Sequence, residues 1–209
     1  MPLKKILLLF GLGLSLFLMP KPASADLTAD LNRPNQTIEL RENLSFKHTN
    51  YDIKLDGQKV GYVSGDFFHP FGDTISIHDN SGNVIYSERQ QRRRWSFSLV
   101  RQGSFYDKNH QFAGKMKEPF WQFFTKNYRL YDADGKQTGT STQNNWKNFL
   151  HHTYDIKADG KVVWQGRNSV HVVRDTVYLK QMHASKVPAE QAIIVTLVHQ
   201  AVSQAEKKK

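Results

Sequence analysis

The stretch Tyr51-Asp52-Ile53-Lys54-Leu55-Asp56-Gly57-Gln58-Lys59-Val60-Gly61-Tyr62-Val63 decides the fold. Two runs alternate apolar and polar residues on either side of Asp56-Gly57. Alternation with a period of two suits a strand with one buried face, and an Asp-Gly pair between two such runs is the strongest short-range hairpin signal. The same unit returns four times. Its turns fall at Ser81-Gly82, Lys108-Asn109, Asp134-Gly135 and Asp159-Gly160, a spacing of 25 to 27 residues. Five hairpins at one spacing predict ten strands of one kind. The expected strands include residues 51–55 with 60–63, 75–78 with 84–86, 96–100 leading to 105–106 and then 112–116, 128–131, and 154–157 with 162–164. Residues 37–47 supply a first strand, and 169–173 and 176–182 alternate once more, for about twelve in all.

The C-terminal segment has another period. Pro188 suits the first turn of a helix, and residues 189–205 follow without Gly or a further Pro. Ala192-Ile193-Ile194-Val195-Thr196-Leu197-Val198 puts apolar groups on every side, as a buried helix requires. Its length, roughly 25 Å, matches a strand of six to eight residues, roughly 20 to 27 Å. A helix threading a barrel is therefore expected. A helix laid across the outside of a sheet, or a strand through Ile193 to Val195, stays open on this reading. Lys207 to Lys209 suit the negative end of the helix dipole.

The N-terminus reads as a signal peptide. Lys4 and Lys5 precede a charge-free run over residues 6–19, which is short for a membrane span of about 20 residues. Ala23-Ser24-Ala25 fits a peptidase site, so residues 1–25 are expected to be removed after Ala25. The chain has no Cys, which excludes a lipid-modified cysteine, disulfides and a thiol nucleophile. Residues 26–36 read as a flexible leader, and 37–209 as one domain. An exported chain, periplasmic or extracellular, is the expectation. Of 209 residues, 29 are Lys or Arg and 19 Asp or Glu, a net charge of +10. Loss of Lys4, Lys5 and Lys21 leaves 26 basic against 19 acidic, or +7. Such a balance favours an anionic lipid surface or another acidic envelope ligand, with nucleic acid the least expected after export.

Twelve strands, repeated hairpins and a final apolar helix resemble the LURP-one-related proteins and the wider tubby-like barrel superfamily, which includes the phospholipid scramblases. The residues that carry the resemblance are Tyr51-Asp52-Ile53-Lys54-Leu55-Asp56-Gly57 with Gly61, and the shorter Tyr131-Asp132-Ala133-Asp134-Gly135 with Gly139. Asp79-Asn80-Ser81-Gly82-Asn83-Val84 and Asp175-Thr176-Val177-Tyr178-Leu179 add to it, and the likeness runs over about residues 48–205. It implies a closed barrel around a hydrophobic C-terminal helix and, for some members, binding of phosphoinositide or other anionic lipid. The signal peptide, the missing cysteine cluster of the scramblases, and His199 and Gln200 in the helix are departures. The fold therefore transfers more safely than the ligand.

The charge feature that stands out is Arg89-Gln90-Gln91-Arg92-Arg93-Arg94-Trp95, with Arg101 beyond it. Arginine binds phosphate and carboxylate in a two-pronged fork, and tryptophan suits a lipid interface. Arg89, Arg92, Arg93, Arg94, Trp95 and Arg101 are the candidate contacts for an anionic ligand. The competing reading is a charged sheet edge that prevents aggregation. Aromatic runs at Phe67-Phe68, Phe71, Phe120-Trp121-Gln122-Phe123-Phe124 and Trp146 suit either ligand contact or the space between barrel and helix. Asp79-Asn80-Ser81-Gly82 and Asp132-Ala133-Asp134-Gly135 resemble parts of calcium loops but lack the closing Glu, so they read as turns. The histidines, among them His69, His78, His151, His152 and His171, show no zinc spacing, and no Gly-x-Ser-x-Gly elbow occurs. No cofactor, metal or catalytic residue is expected. The reading is a non-enzymatic binding module, with an envelope protein-protein or structural role as alternative and a hydrolase behind both.

Overall fold

A computed structural model describes residues 26–44, 49–65, 74–92, 101–119, 127–144, 153–170 and 175–207. A short helix α1 (Leu27–Leu31) comes first. Twelve strands follow: β1 (Thr37–Leu44), β2 (Thr49–Leu55), β3 (Gln58–Gly65), β4 (Thr74–Asp79), β5 (Val84–Arg92) and β6 (Arg101–Asp107), then β7 (Phe112–Lys117), β8 (Asn127–Tyr131), β9 (Gln137–Asn144), β10 (Thr153–Ala158), β11 (Lys161–Val170) and β12 (Asp175–Gln181). A long helix α2 (Ala189–Lys207) ends the chain. Each strand pairs antiparallel with the next, and β1 pairs with β12 from Thr37–Lys180 to Arg41–Thr176, which closes the barrel.

The repeat is visible in the wall. In each hairpin the register shifts once, just after an inward residue: Ile53, Ile77, Phe105, Leu130 or Ile156. All five are fully buried. Such bulges bend a strand and add twist, and one per hairpin helps curl the sheet shut. The turns beyond them are of two kinds. Asp56-Gly57 and Asp159-Gly160 have both φ angles positive, as a two-residue primed turn requires. The three middle turns are longer and are headed by an aspartate. Asp79 Oδ1 accepts the backbone N–H of Ser81 and Asn83, Asp107 Oδ1 those of Asn109 and Gln111, and Asp132 Oδ1 that of Lys136. The positive φ then falls on Gly82, His110 and Gly135. The expectation of primed turns throughout is corrected for these three. The apparent calcium fragments are these turns, and the carboxylate serves the backbone.

α2 fills the barrel. From Ala189 to Ala201 every residue is buried, and Ile193, Ile194, Val195 and Leu197 meet Ile38, Leu40, Val177 and Leu179 in one core. At about 25 cal/mol per Å² of apolar surface, burial on all sides of a helix outweighs any single wall contact. The helix enters at the end where the five hairpin turns lie: Trp164 Nε1 donates to the carbonyl of Val187 at 3.0 Å. Helix formation was expected over residues 189–205, and the observed span is two residues longer at its C-terminus.

Residues 26–36, read as a leader, contain α1. Asp26 caps it by accepting the N–H of Ala29 at 3.3 Å, and Leu27 and Leu31 are buried in the core. Five residues cannot hold a helix alone; contact with the barrel and with α2 holds this one. Two strand readings are also corrected. Residues 162–164 and 169–173 were read apart, but residues 161–170 form the single strand β11, running through Gly166. The fourth turn is followed by β9, the second strand of that hairpin, for which the alternation names no residues.

Candidate ligand-binding site

The six strand-to-strand connections other than the hairpin turns leave from the opposite end of the barrel. β5 reaches this end at Arg92 and β6 starts from it at Arg101, and the two arginines are Cα partners. Gln91 pairs with Gln102 and Arg89 with Ser104 in the same ladder. Arg89 is exposed on the outer wall. Arg89 stands three register positions from Arg92 along β5. Arg93, Arg94 and Trp95 lie outside the described residues. The ladder thus brings Arg92 and Arg101 to one register position and leaves Arg89 apart from them. Arg89 is paired with β4 on one side and β6 on the other, so the role of a guarded sheet edge does not apply to it.

Beneath this pair lies Glu88, fully buried. Its carboxylate rests on Gly103, where an added Cβ would stand 1.7 Å from Oε1. The barrel interior changes character here. Towards the hairpin turns it is lined by Ile, Leu, Tyr86 and Trp164. Towards the arginine end it carries Ser141, Gln143, Asn168, Thr196, His199 and Gln200, all at or below 9% exposure. Ser141 Oγ lies 2.8 Å from His199 Nε2, with Tyr128 edge-on to the imidazole at 4.8 Å and Tyr154 stacked on it at 5.6 Å. Gln200 Nε2 donates to Asp175 Oδ2 at 3.0 Å. Burial and the carboxylates of Glu42 and Asp175 push the Tyr51 phenol far above its usual range, so it stays a neutral donor. None of this layer was marked by the sequence reading; the polar pair His199-Gln200 inside an apolar helix was its one signal.

Among the described residues no three His, Asp or Glu converge to hold a metal ion, and no helix is long and apolar enough to cross a membrane. Of the histidines singled out, His78 stands on β4, and His69, His151, His152 and His171 lie outside the described residues. So do Phe67, Phe68, Phe71, Phe120 to Phe124 and Trp146.

A closed antiparallel barrel whose interior is taken up by its own helix leaves its ends and outer wall for recognition, which defines a binding-type fold. The family model described as LURP-one-related matches residues 36–198, and the chain belongs to that family. Comparison with curated proteins and with solved structures gives no match.

Proposed function

We propose that this chain is a non-enzymatic binding module that works at the cell envelope and docks on an anionic surface, with anionic phospholipid as the favoured ligand. The observation that carries the reading is the pairing of Arg92 with Arg101 at the end of the β5–β6 ladder. Two forked cations at one register position suit a phosphate better than either alone. Chain connectivity supports the same end. The segments joining β3 to β4, β5 to β6, β7 to β8 and β9 to β10 carry the Phe and Trp runs as well as Arg93, Arg94, Lys126 and Lys147. Aromatic and basic residues together suit a lipid interface. Export after Ala25 would put the domain beside such a surface from outside the cytoplasm.

A protein partner is the second reading, but its simplest route, pairing with a free strand edge, is removed by closure of the barrel.

The test is co-sedimentation of the chain from Asp26 onward with phosphatidylglycerol or phosphatidylcholine vesicles, at low and high salt. Binding confined to the anionic vesicles, weakened by salt and by the double change Arg92→Ala with Arg101→Ala, is expected. Equal binding to both lipids, or an unaffected double variant, would sink the reading.

A further inference from the structure

The outer wall of β3 and β4 holds a serine and a histidine in a fixed mutual orientation. Ser64 Oγ lies 2.8 Å from His78 Nε2, and His78 Nδ1 lies 3.2 Å from the carbonyl oxygen of Gly82. A carbonyl only accepts, so Nδ1 carries the hydrogen. In the neutral ring Nε2 is then left with a lone pair facing the Ser64 hydroxyl. The imidazole is also held across its face. Tyr62, its Cα partner on β3, stacks on it at 4.5 Å with the planes 6° apart. Lys59 Nζ lies 5.7 Å from the centre of the Tyr62 ring and pairs with Asp52 at 2.6 Å.

The carbonyl that orients the ring is itself fixed. Gly82 sits in the turn headed by Asp79, whose two oxygens take the N–H groups of Ser81 and Asn83 and the side-chain amide of Asn83. These bonds hold the Asp79 carboxyl below the usual carboxylate range, the Asn83 amide contributing most. Ser64 and His78 are both partly exposed, so a reagent in solvent can approach the hydroxyl. Nucleophile, base and an acceptor that sets the tautomer therefore stand in line, each within hydrogen-bond reach of the next.

We infer that Ser64 is a base-activated nucleophile and a covalent modification site for activated acyl esters. In the step, Ser64 Oγ bonds to the ester carbonyl carbon while His78 Nε2 takes the hydroxyl proton. The bond from that carbon to the leaving oxygen then breaks, and the proton passes from Nε2 to that oxygen. An alcohol departs, Ser64 is left as an ester, and His78 returns to its neutral form. No oxidant, reductant or further reagent is consumed. The inference is independent of anion binding at the arginine end.

The test is treatment of the chain from Asp26 onward with p-nitrophenyl acetate, with the acetylated residue identified by peptide mass spectrometry. Acetylation of Ser64 is expected, faster than that of the other exposed serines. His78→Gln should lower that rate about a hundredfold, as loss of a general base does. Ser64→Ala should remove the label. A Ser64 left unmodified while lysines react overturns the inference, as does an unchanged rate in His78→Gln. If His78→Gln proves unstable, the wild-type protein decides alone, since a Ser64 labelled no faster than the other exposed serines excludes an activating base.

Discussion

Asn32 Oδ1 accepts the backbone N–H of Ala189 at 2.8 Å, across 157 residues of chain. Ala189 opens α2, where the first N–H groups have no partner inside the helix. Asn32 closes α1 with its own N–H, and its Nδ2 donates both to the carbonyl of Thr28 at 2.8 Å and to Glu190 Oε2 at 3.0 Å. One side chain thus ends the first helix and caps the last.

Removing it should be costly. Asn32→Ala loses a cap worth about 1 kcal/mol and leaves the Glu190 carboxylate short of a donor in a buried setting, about 1–3 kcal/mol more. Thermal unfolding should start several degrees lower, at about 2–4 °C per kcal/mol for a domain of this size. An unchanged melting temperature would mean that α1 only rests on the barrel.

Glu190 itself sets a pH dependence. Its carboxyl is pushed above the ordinary carboxylate range, mainly by burial, and the Asn32 bond offsets only part of this. A carboxyl raised on folding binds its proton more tightly in the folded state. Its contribution to stability is complete below the ordinary carboxylate value and is lost as pH rises through Glu190's own raised value. Glu190→Gln keeps an acceptor for Asn32 and carries no charge. It should flatten the stability curve over the weakly acid range and equal or exceed the parent at neutral pH. Denaturant unfolding at a series of pH values reads this directly, and parallel curves for the two proteins would refute it.

Ile194 and Leu197 test the threading of α2. Both are essentially without exposure, so Ile194→Asp or Leu197→Asp would bury a charge without a partner, costing several kcal/mol. Neither variant should give a cooperative melt by circular dichroism. Normal melting of both would put the helix at the periphery.

Gly103 marks how closely Glu88 is fitted. With a methyl at this position standing 1.7 Å from Oε1, Gly103→Ala must displace a fully buried carboxylate or spread β6 from β5. Overpacking of this kind costs about 1–3 kcal/mol. The double variant Gly103→Ala with Glu88→Ala should recover part of that loss in denaturant melts, and strict additivity would separate the two sites.

Much of this architecture could be read from the chain because turns and periods are local. Asp at each hairpin turn, Gly at four of the five, alternation around them and an all-round apolar helix depend on neighbours within a few residues. What escaped depends on distant partners. β9 reads Gln137-Thr138-Gly139-Thr140-Ser141-Thr142-Gln143-Asn144, and its inward positions are Gly139, Ser141 and Gln143. No apolar alternation betrays it, since it faces the polar layer and His199. α1 is a helix only because Leu27 and Leu31 find the core. The arginines were legible as a cluster, but the facing of Arg92 with Arg101, and the separation of Arg89 from both, needed the register. Ser64 and His78 are fourteen residues apart and carry no shared motif; only the pairing of β3 with β4 brings them together.

The helix at the centre of this barrel follows all twelve strands of its wall in the chain. Twelve strands precede it, and each turns toward the axis an inward row that has nothing else to pack on. The seam between β1 and β12 likewise waits for a strand near the end of the chain. Hairpins can form early, since their contacts are local, but the assembled wall has no interior until Ala189 and the residues after it exist. Folding is therefore expected to follow synthesis as one late event.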